Sequence, residues 1–316
     1  MGNLDALLAV LPLPVRRALR ALGPEQLAQL EEIRLRSGRP VTVRLAGVMR
    51  RLHSDGLGGA GTPLFATPDD LQRCLELAAR CSLYACREQL AEGYLALPGG
   101  HRLGVAGQVI MEEDRLWLVQ HPTSLCIRLA RPRPGAASAL LKHVMAGGQL
   151  HSCLIFGPPG SGKTTVLRDL VRVLSDRGFN VTVVDERSEI AGCVAGLPSM
   201  DVGSNTDLWD GCPKALGLLM AIRSLAPQVV ATDEIGHPRD AEALLEARRC
   251  GVAVLATAHA WDLDDVIERP TLQVLWQARV FARFFRLGVT PTPGTLLGVW
   301  DEAGRACEQE AAIVAG

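Results

Sequence analysis

Residues Gly157-Pro158-Pro159-Gly160-Ser161-Gly162-Lys163-Thr164 fit G-x-x-x-x-G-K-[ST], and they sit between two segments of opposite periodicity. Before them, Ser152-Cys153-Leu154-Ile155-Phe156 is a short apolar run that reads as a buried strand. After them, the apolar residues at 166, 167, 170, 171 and 174 recur at helical spacing. Strand, glycine loop and helix in that order are what a phosphate-binding loop requires. The glycines let backbone N–H groups turn inward around phosphate oxygens. Lys163 puts a cation on the β- and γ-phosphates, the Thr164 hydroxyl is placed to ligate Mg²⁺, and Thr165 opens a helix whose positive end points at the anion. The competing interpretation is an ordinary Gly/Pro-rich turn with an incidental lysine.

The chain around this loop alternates. Strands are expected at 152–156, 180–184, 228–232, 252–257 and 283–287, and helices at 163–175, 213–224, 239–249 and 262–277. That order predicts an α/β domain with a mostly parallel sheet covered by helices on both faces. Arg131-Pro132-Arg133-Pro134-Gly135 resists helix and sheet alike and is taken as a linker between residues 1–130 and 136–316. The smaller N-terminal part mixes elements. Helices are expected over Leu4–Leu22, Pro24–Leu30, Thr67–Arg80 and Tyr84–Ala91. Strands are expected over Glu32–Arg36, Val41–Leu45, Gly93–Leu97, His101–Ile110, Leu116–Val119 and Ser124–Leu129. This is an α+β pattern.

Three later segments end strands in polar groups. Gln228-Val229-Val230-Ala231-Thr232 runs into Asp233 and Glu234. In a parallel sheet ligands gather at the C-terminal strand ends, so both carboxylates are expected beside the loop. Asp233 suits Mg²⁺ held through water, and Glu234 suits orienting or deprotonating an attacking water. An acidic turn after a strand is weak evidence alone and strong evidence beside the loop. Val252 to Ala258 ends at His259, which is either a γ-phosphate sensor or a satisfied strand-end histidine. Val183-Val184-Asp185-Glu186-Arg187-Ser188-Glu189 places further acids at a strand end. An acid there either fixes the catalytic water or anchors Arg187, or the segment is a solvated charged turn.

Net charge is −1 over 316 residues, which gives no global electrostatic case for nucleic acid. Aromatic residues make up only 4%, and no basic segment interleaved with them suggests a single-strand-binding surface. The nine cysteines form no paired CxxC spacing, which suits a reducing compartment. The N-terminus reads as neither a signal peptide nor a myristoylation site, and no run is long and apolar enough to span a membrane.

Asp233-Glu234-Ile235-Gly236 through Asp240-Ala241-Glu242-Ala243 to Leu255-Ala256-Thr257-Ala258-His259 resembles the secretion-ATPase branch of RecA-like motors. A closer resemblance, to the stage III sporulation protein AA family, spans nearly the whole chain. It is carried by Glu32-Ile33-Arg34-Leu35-Arg36, Gly38-Arg39-Pro40, Ser82-Leu83-Tyr84, Gly93-Tyr94, Pro98 to Gly104 and Ile127 to Ala130. The phosphate loop, Asp185 to Gly192, Asp210 to Ala215, Ala221 to Ser224 and Pro227-Gln228 complete it.

The resemblance implies a RecA-like P-loop ATPase using ATP and Mg²⁺. It further implies a hexameric ring in the mother-cell cytoplasm, peripheral to the outer forespore membrane through membrane-protein partners of a secretion complex. By family position Glu189 belongs to an acidic box, and Arg223, Arg187, Arg128 and Arg102 are candidates for an arginine acting on a neighbour's site. The match departs from many secretion ATPases at Asp233, where they carry Gly. A nucleic-acid-associated ATPase is the alternative on the same core, and an assembly scaffold with negligible turnover is disfavoured by the intact Asp233-Glu234 pair.

Overall fold

The computed structural model describes residues 2–57, 59–79, 86, 90–91, 93–112, 115–130, 133–193 and 196–309. The expected helix over Tyr84–Ala91, the Ser82-Leu83-Tyr84 motif and Arg131-Pro132 of the linker lie wholly or mostly outside them. The chain divides into two compact units. One comprises Met1–Arg131 with Gly192–Ser199, and the other Pro132–Ala191 with Met200–Gly316. The short 192–199 segment thus belongs with the N-terminal unit, although its sequence neighbours on both sides do not.

In the first unit a six-stranded antiparallel sheet has the order β4-β3-β1-β8-β7-β6. These strands are β1 (Leu30–Arg36), β3 (Thr42–Leu45), β4 (Val48–Arg51), β6 (Tyr94–Leu97), β7 (His101–Glu112) and β8 (Arg115–Arg128). A separate two-stranded ladder joins β2 (Arg39–Pro40) to β5 (Phe65–Ala66). Period-two alternation sends Ile33, Leu35, Val43, Leu103, Leu125 and Ile127 into one core. There they meet Leu7, Leu8, Val15 and Leu19 of the N-terminal helices α1 (Gly2–Ala9) and α2 (Leu13–Arg20), and Leu71 and Leu75 of α4 (Pro68–Ala78). Between α2 and α4 comes α3 (Pro24–Gln29). α4 starts as its sequence predicts: the Thr67 hydroxyl accepts from the Asp70 N–H, and Asp70 answers by accepting from the Thr67 N–H.

Two strands expected over Leu116–Val119 and Ser124–Leu129 are one continuous β8. The intervening Pro122 is absorbed by a bulge, where the pairing with β7 shifts around Gly107 and His121 takes a φ of 46°. The face of this sheet opposite that core carries charged residues at one level of the register. Arg44 and Arg128 lie opposite Glu32 on its two neighbouring strands, and Arg102 lies opposite Arg128 in turn.

In the second unit the eight-stranded sheet has the order β11-β10-β12-β13-β9-β14-β15-β16. Strands β9 (Cys153–Gly157), β10 (Val181–Asp185), β11 (Thr206–Asp210), β12 (Val229–Thr232), β13 (Ala253–His259) and β14 (Arg283–Gly288) are parallel. β15 (Thr295–Asp301) and β16 (Ala306–Gln309) add antiparallel at one edge. Leu154, Phe156, Val184, Val230 and Val254 pack with Leu218, Ala221, Leu244 and Leu272 of the helices on one face. Cys153, Ile155, Val183 and Leu255, equally buried, point to the other by the same two-residue period.

A short α5 (Ser138–Val144) precedes β9. The loop helix, α6 (Lys163–Asp176), lies against β9, β10, β11 and β13. Next come α7 (Lys214–Ser224) and α8 (Pro238–Arg249). The single helix expected over 262–277 is two, α9 (Leu263–Glu268) and α10 (Pro270–Gln277). Pro270 drives the preceding Arg269 out of the helical region, to ψ 124°. β11, β15 and β16 were not anticipated. β11 carries mostly polar, half-exposed residues and draws its strand character from pairing with β10 along its whole length.

Candidate active site

Strand order assembles the site. β10, β12, β13 and β9 are neighbours and parallel, so their C-terminal tips lie side by side. Register then sets the pairs: Thr232 faces Ala256, and His259 faces Gly157. Residues more than a hundred positions apart in sequence meet at one sheet edge.

The loop itself is shaped by its glycines. Gly160 and Gly162 have φ of 77° and 82°, a region closed to most side chains. A Cβ on Gly157 would stand 2.4 Å from the Leu287 carbonyl oxygen at the end of β14. Pro159 and Gly160 are exposed at the tip, Pro158 and Thr165 are half-buried, and Ser161 is fully buried. The Ser161 carbonyl accepts from the Gly294 N–H at 2.8 Å, while its hydroxyl has no partner among the described residues.

Lys163 is 7% exposed. Its ammonium donates to the carbonyls of Gly157 and Pro158, both at 2.9 Å, and stands 3.2 Å from His259 Nδ1. Burial pushes its pKa down, against the nearby carboxylates of Asp233 and Glu234. An ammonium can only donate, so His259 Nδ1 accepts, and Nε2 carries the proton it shares with Glu234 Oε1 at 2.8 Å. The second Glu234 oxygen takes the Arg187 guanidinium.

Asp233 is held from two sides. The Thr164 hydroxyl donates to Oδ2 at 2.5 Å, and the Thr257 hydroxyl donates to Oδ1. The same Thr257 oxygen accepts the Glu234 N–H at 2.8 Å, at a residue whose φ is 53°. Thr257 therefore fixes both acids, and it was missed as a site residue in its own right. The signal was present: a hydroxyl inside an otherwise apolar strand must find a buried partner.

Glu189 lines the same pocket as Asp185, Asp233 and Glu234. Among the arginines, Arg187 is on the site through Glu234, and Arg223 is exposed in the last turn of α7. Arg128 and Arg102 lie on the sheet of the N-terminal unit, the latter 3.7 Å over the Tyr94 ring.

The donors present suit a polyphosphate. The Lys163 ammonium and the Ser161 hydroxyl, which has no partner among the described residues, favour anionic oxygens, and the paired oxygens of Thr164 and Asp233 favour a hard cation. The described residues hold no cluster of three or more metal-ligating side chains.

A glycine loop between strand and helix, beside an acid-tipped parallel strand, defines a P-loop protein with the RecA-like fold of the secretion ATPases. Among solved structures the fold matches the ATPase DotB of Legionella pneumophila, with TM-score 0.56, 16% identity, and 87% of this chain and 77% of that one covered. It also matches the pilus retraction motor PilT, solved with bound ADP, with TM-score 0.54, 18% identity and 83% and 75% covered. The chain belongs to the family described as sporulation stage III, protein AA, whose profile matches residues 3–307. It is 39% identical over 309 residues to stage III sporulation protein AA of Bacillus subtilis (strain 168), covering 96% of this chain and 97% of that one.

Proposed function

We propose that this protein is an ATP-hydrolysing motor resembling the secretion ATPases, and that it energises a sporulation-specific channel or secretion complex between mother cell and forespore. The observation that carries the hydrolytic reading is the anchoring of Asp233 and Glu234 through one buried hydroxyl, Thr257, beside Lys163 and Thr164. Within the loop from Gly157 to Thr165, the backbone N–H groups of residues other than Pro158 and Pro159, together with the Lys163 ammonium, bind the phosphates. Thr164 directly and Asp233 through water would hold Mg²⁺, which when bound would supply positive charge beside the phosphates. Glu234 orients the attacking water and takes its proton, His259 reads the γ-phosphate through its place between Lys163 and Glu234, and Glu189 adds a second acid. The protein works as a homo-oligomer, a hexameric ring, docked on membrane-protein partners of the complex from the mother-cell cytoplasm. No described helix is long and apolar enough to cross a membrane, so in this reading membrane attachment comes through those partners.

The test is Glu234→Gln. The variant binds ATP with affinity close to the parent and hydrolyses it about 100-fold or more slowly, the usual range for a lost general base. Near-normal turnover moves the catalytic role to Glu186 or Glu189. Imaging the ATP-bound variant with and without DNA separates the partners: rings without DNA support the secretion reading, and filaments formed only on DNA support a nucleic-acid-associated ATPase.

A further inference from the structure

Arg168 lies on α6 one helical turn beyond Thr164, on the helix that carries the phosphate loop. It is a charged residue only 6% exposed. Its guanidinium leaves the helix to meet the turn after β10, where Nη2 donates to the Glu189 carbonyl and Nε to the Ile190 carbonyl. Asp185, 2% exposed at the tip of β10, takes the complementary groups of the same turn. One of its oxygens accepts the Glu189 N–H at 2.9 Å, and the other accepts the N–H groups of Ile190 at 2.9 Å and Ala191 at 2.8 Å. The backbone donors and acceptors of Glu189 and Ile190 are thus all taken by two buried side chains of opposite charge. Neither charge is cheap to bury. A turn that only needed satisfied backbone groups would find them in water or in neutral partners.

We propose that Arg168 and Asp185 are positioning residues that lock the acidic box to the phosphate-loop helix, so that Glu189 stands at a fixed distance from Lys163 and Thr164. The inference rests on the hydrolytic reading above and deepens it. Arg168 touches no reacting atom. It sets where the box lies relative to the helix, and the planar guanidinium is the part that matters, because a fork spans two carbonyls and a point charge does not.

Arg168→Lys keeps the charge and loses the fork. Two readings are taken on the full-length protein. The first is amide hydrogen exchange across residues 189–191, which needs no turnover and rises at least about 10-fold when the turn is freed. The second is ATP turnover, where kcat falls about 10- to 100-fold while nucleotide affinity stays within about 3-fold, because the loop amides and Lys163 are untouched. In a cycle with Glu189→Gln the double variant is no slower than the slower single one. Unchanged exchange overturns the clamp. Freed exchange with unchanged kcat, fully additive losses in the cycle, or a parallel loss of nucleotide affinity overturns the positioning role. A parent protein that binds ATP without hydrolysing it removes the hydrolytic reading and this inference with it, whereas an active parent with an indifferent variant removes the inference alone. Should Arg168→Lys fail to fold, the same readings are taken on Arg168→Gln, which drops the buried charge and keeps a donor.

Discussion

The two sheets of this protein present their chemistry in different ways. In the nucleotide unit the polar groups stand at the ends of strands: Gly157, Asp185, Asp233 with Glu234, and His259 follow or close β9, β10, β12 and β13. In the N-terminal unit they stand on a face: Arg44, Glu32, Arg128 and Arg102 run across β3, β1, β8 and β7 at one level of the register. Strand direction explains the contrast. Parallel strands all deliver their C-terminal loops to one edge, so a short contiguous motif on each suffices to build a site. Antiparallel strands send successive ends to opposite edges, and what they share is a row of alternate side chains. The first arrangement can be read from motifs, and the second needs the register.

The sharpest way to break this comparison is to remove the central cation of the first arrangement. Lys163→Ala would delete charge-assisted bonds to phosphate of roughly 1.5–3 kcal/mol each, and is expected to weaken ATP binding by at least about 10-fold. Fluorescence titration with a labelled nucleotide reads it. Unchanged affinity would sink the site assignment. The matching change in the second arrangement is Glu32→Gln, which leaves Arg34 without its ion pair. It is expected to lower the stability of the N-terminal unit and to leave nucleotide affinity unchanged.

A smaller effect tests how the strand ends are held. Thr257→Val keeps the branched shape and removes the hydroxyl shared by Asp233 and Glu234. The part-buried Asp233 oxygen and the Glu234 N–H lose that partner, which costs about 1 kcal/mol of stability. Urea unfolding reads that loss, and a Mg²⁺ titration of turnover should shift to higher metal concentration. A wild-type Mg²⁺ response would mean that Thr257 only packs.

The contrast also explains what was legible beforehand. The loop and the Asp233-Glu234 tip are contiguous, and few other arrangements need those residue types in that order. The parallel strands announced themselves as apolar runs. Thr257 was passed over because a threonine suits a strand on propensity alone. Arg168 was passed over for a related reason: on a helix with an apolar stripe at 166, 167, 170, 171 and 174, a charged residue reads as part of the solvated face. Its reach to the turn after β10 depends on which strand neighbours β12, and local pattern does not contain strand order. The β8 bulge and the break at Pro270 were accessible in principle, since both centre on a proline whose constraint is local.

The smallest predicted effect sets one buried carboxylate of each unit against the other. Burial pushes Asp185 from its ordinary 3.8 up to about 6, even though three backbone N–H groups favour the anion. Glu32 moves the other way. Burial raises it, but the hydrogen bonds of Arg34 and Cys126 and the charges of Arg34 and Arg44 together outweigh burial and hold it below its ordinary 4.5. The signs follow from which state keeps the proton. Between about pH 4 and 6 the native state holds the Asp185 proton that the unfolded chain has released, so this group lowers the stability of the nucleotide unit as pH rises through that window. Glu32 contributes stability that is fully present above about pH 4.5 and is lost as pH falls through its depressed native value. From pH 4.5 to 6, then, the nucleotide unit weakens through Asp185 while the N-terminal unit is unaffected by Glu32. Denaturant midpoints followed separately for each unit, by pulse proteolysis or peptide-resolved exchange, are expected to diverge over this range. Asp185→Asn should flatten the slope of the nucleotide unit, and Glu32→Gln should flatten the acid limb of the other. Parallel slopes in the two units, or a slope that survives Asp185→Asn, would mean that the Asp185 carboxylate is ionised in the native state throughout, its three N–H bonds outweighing its burial.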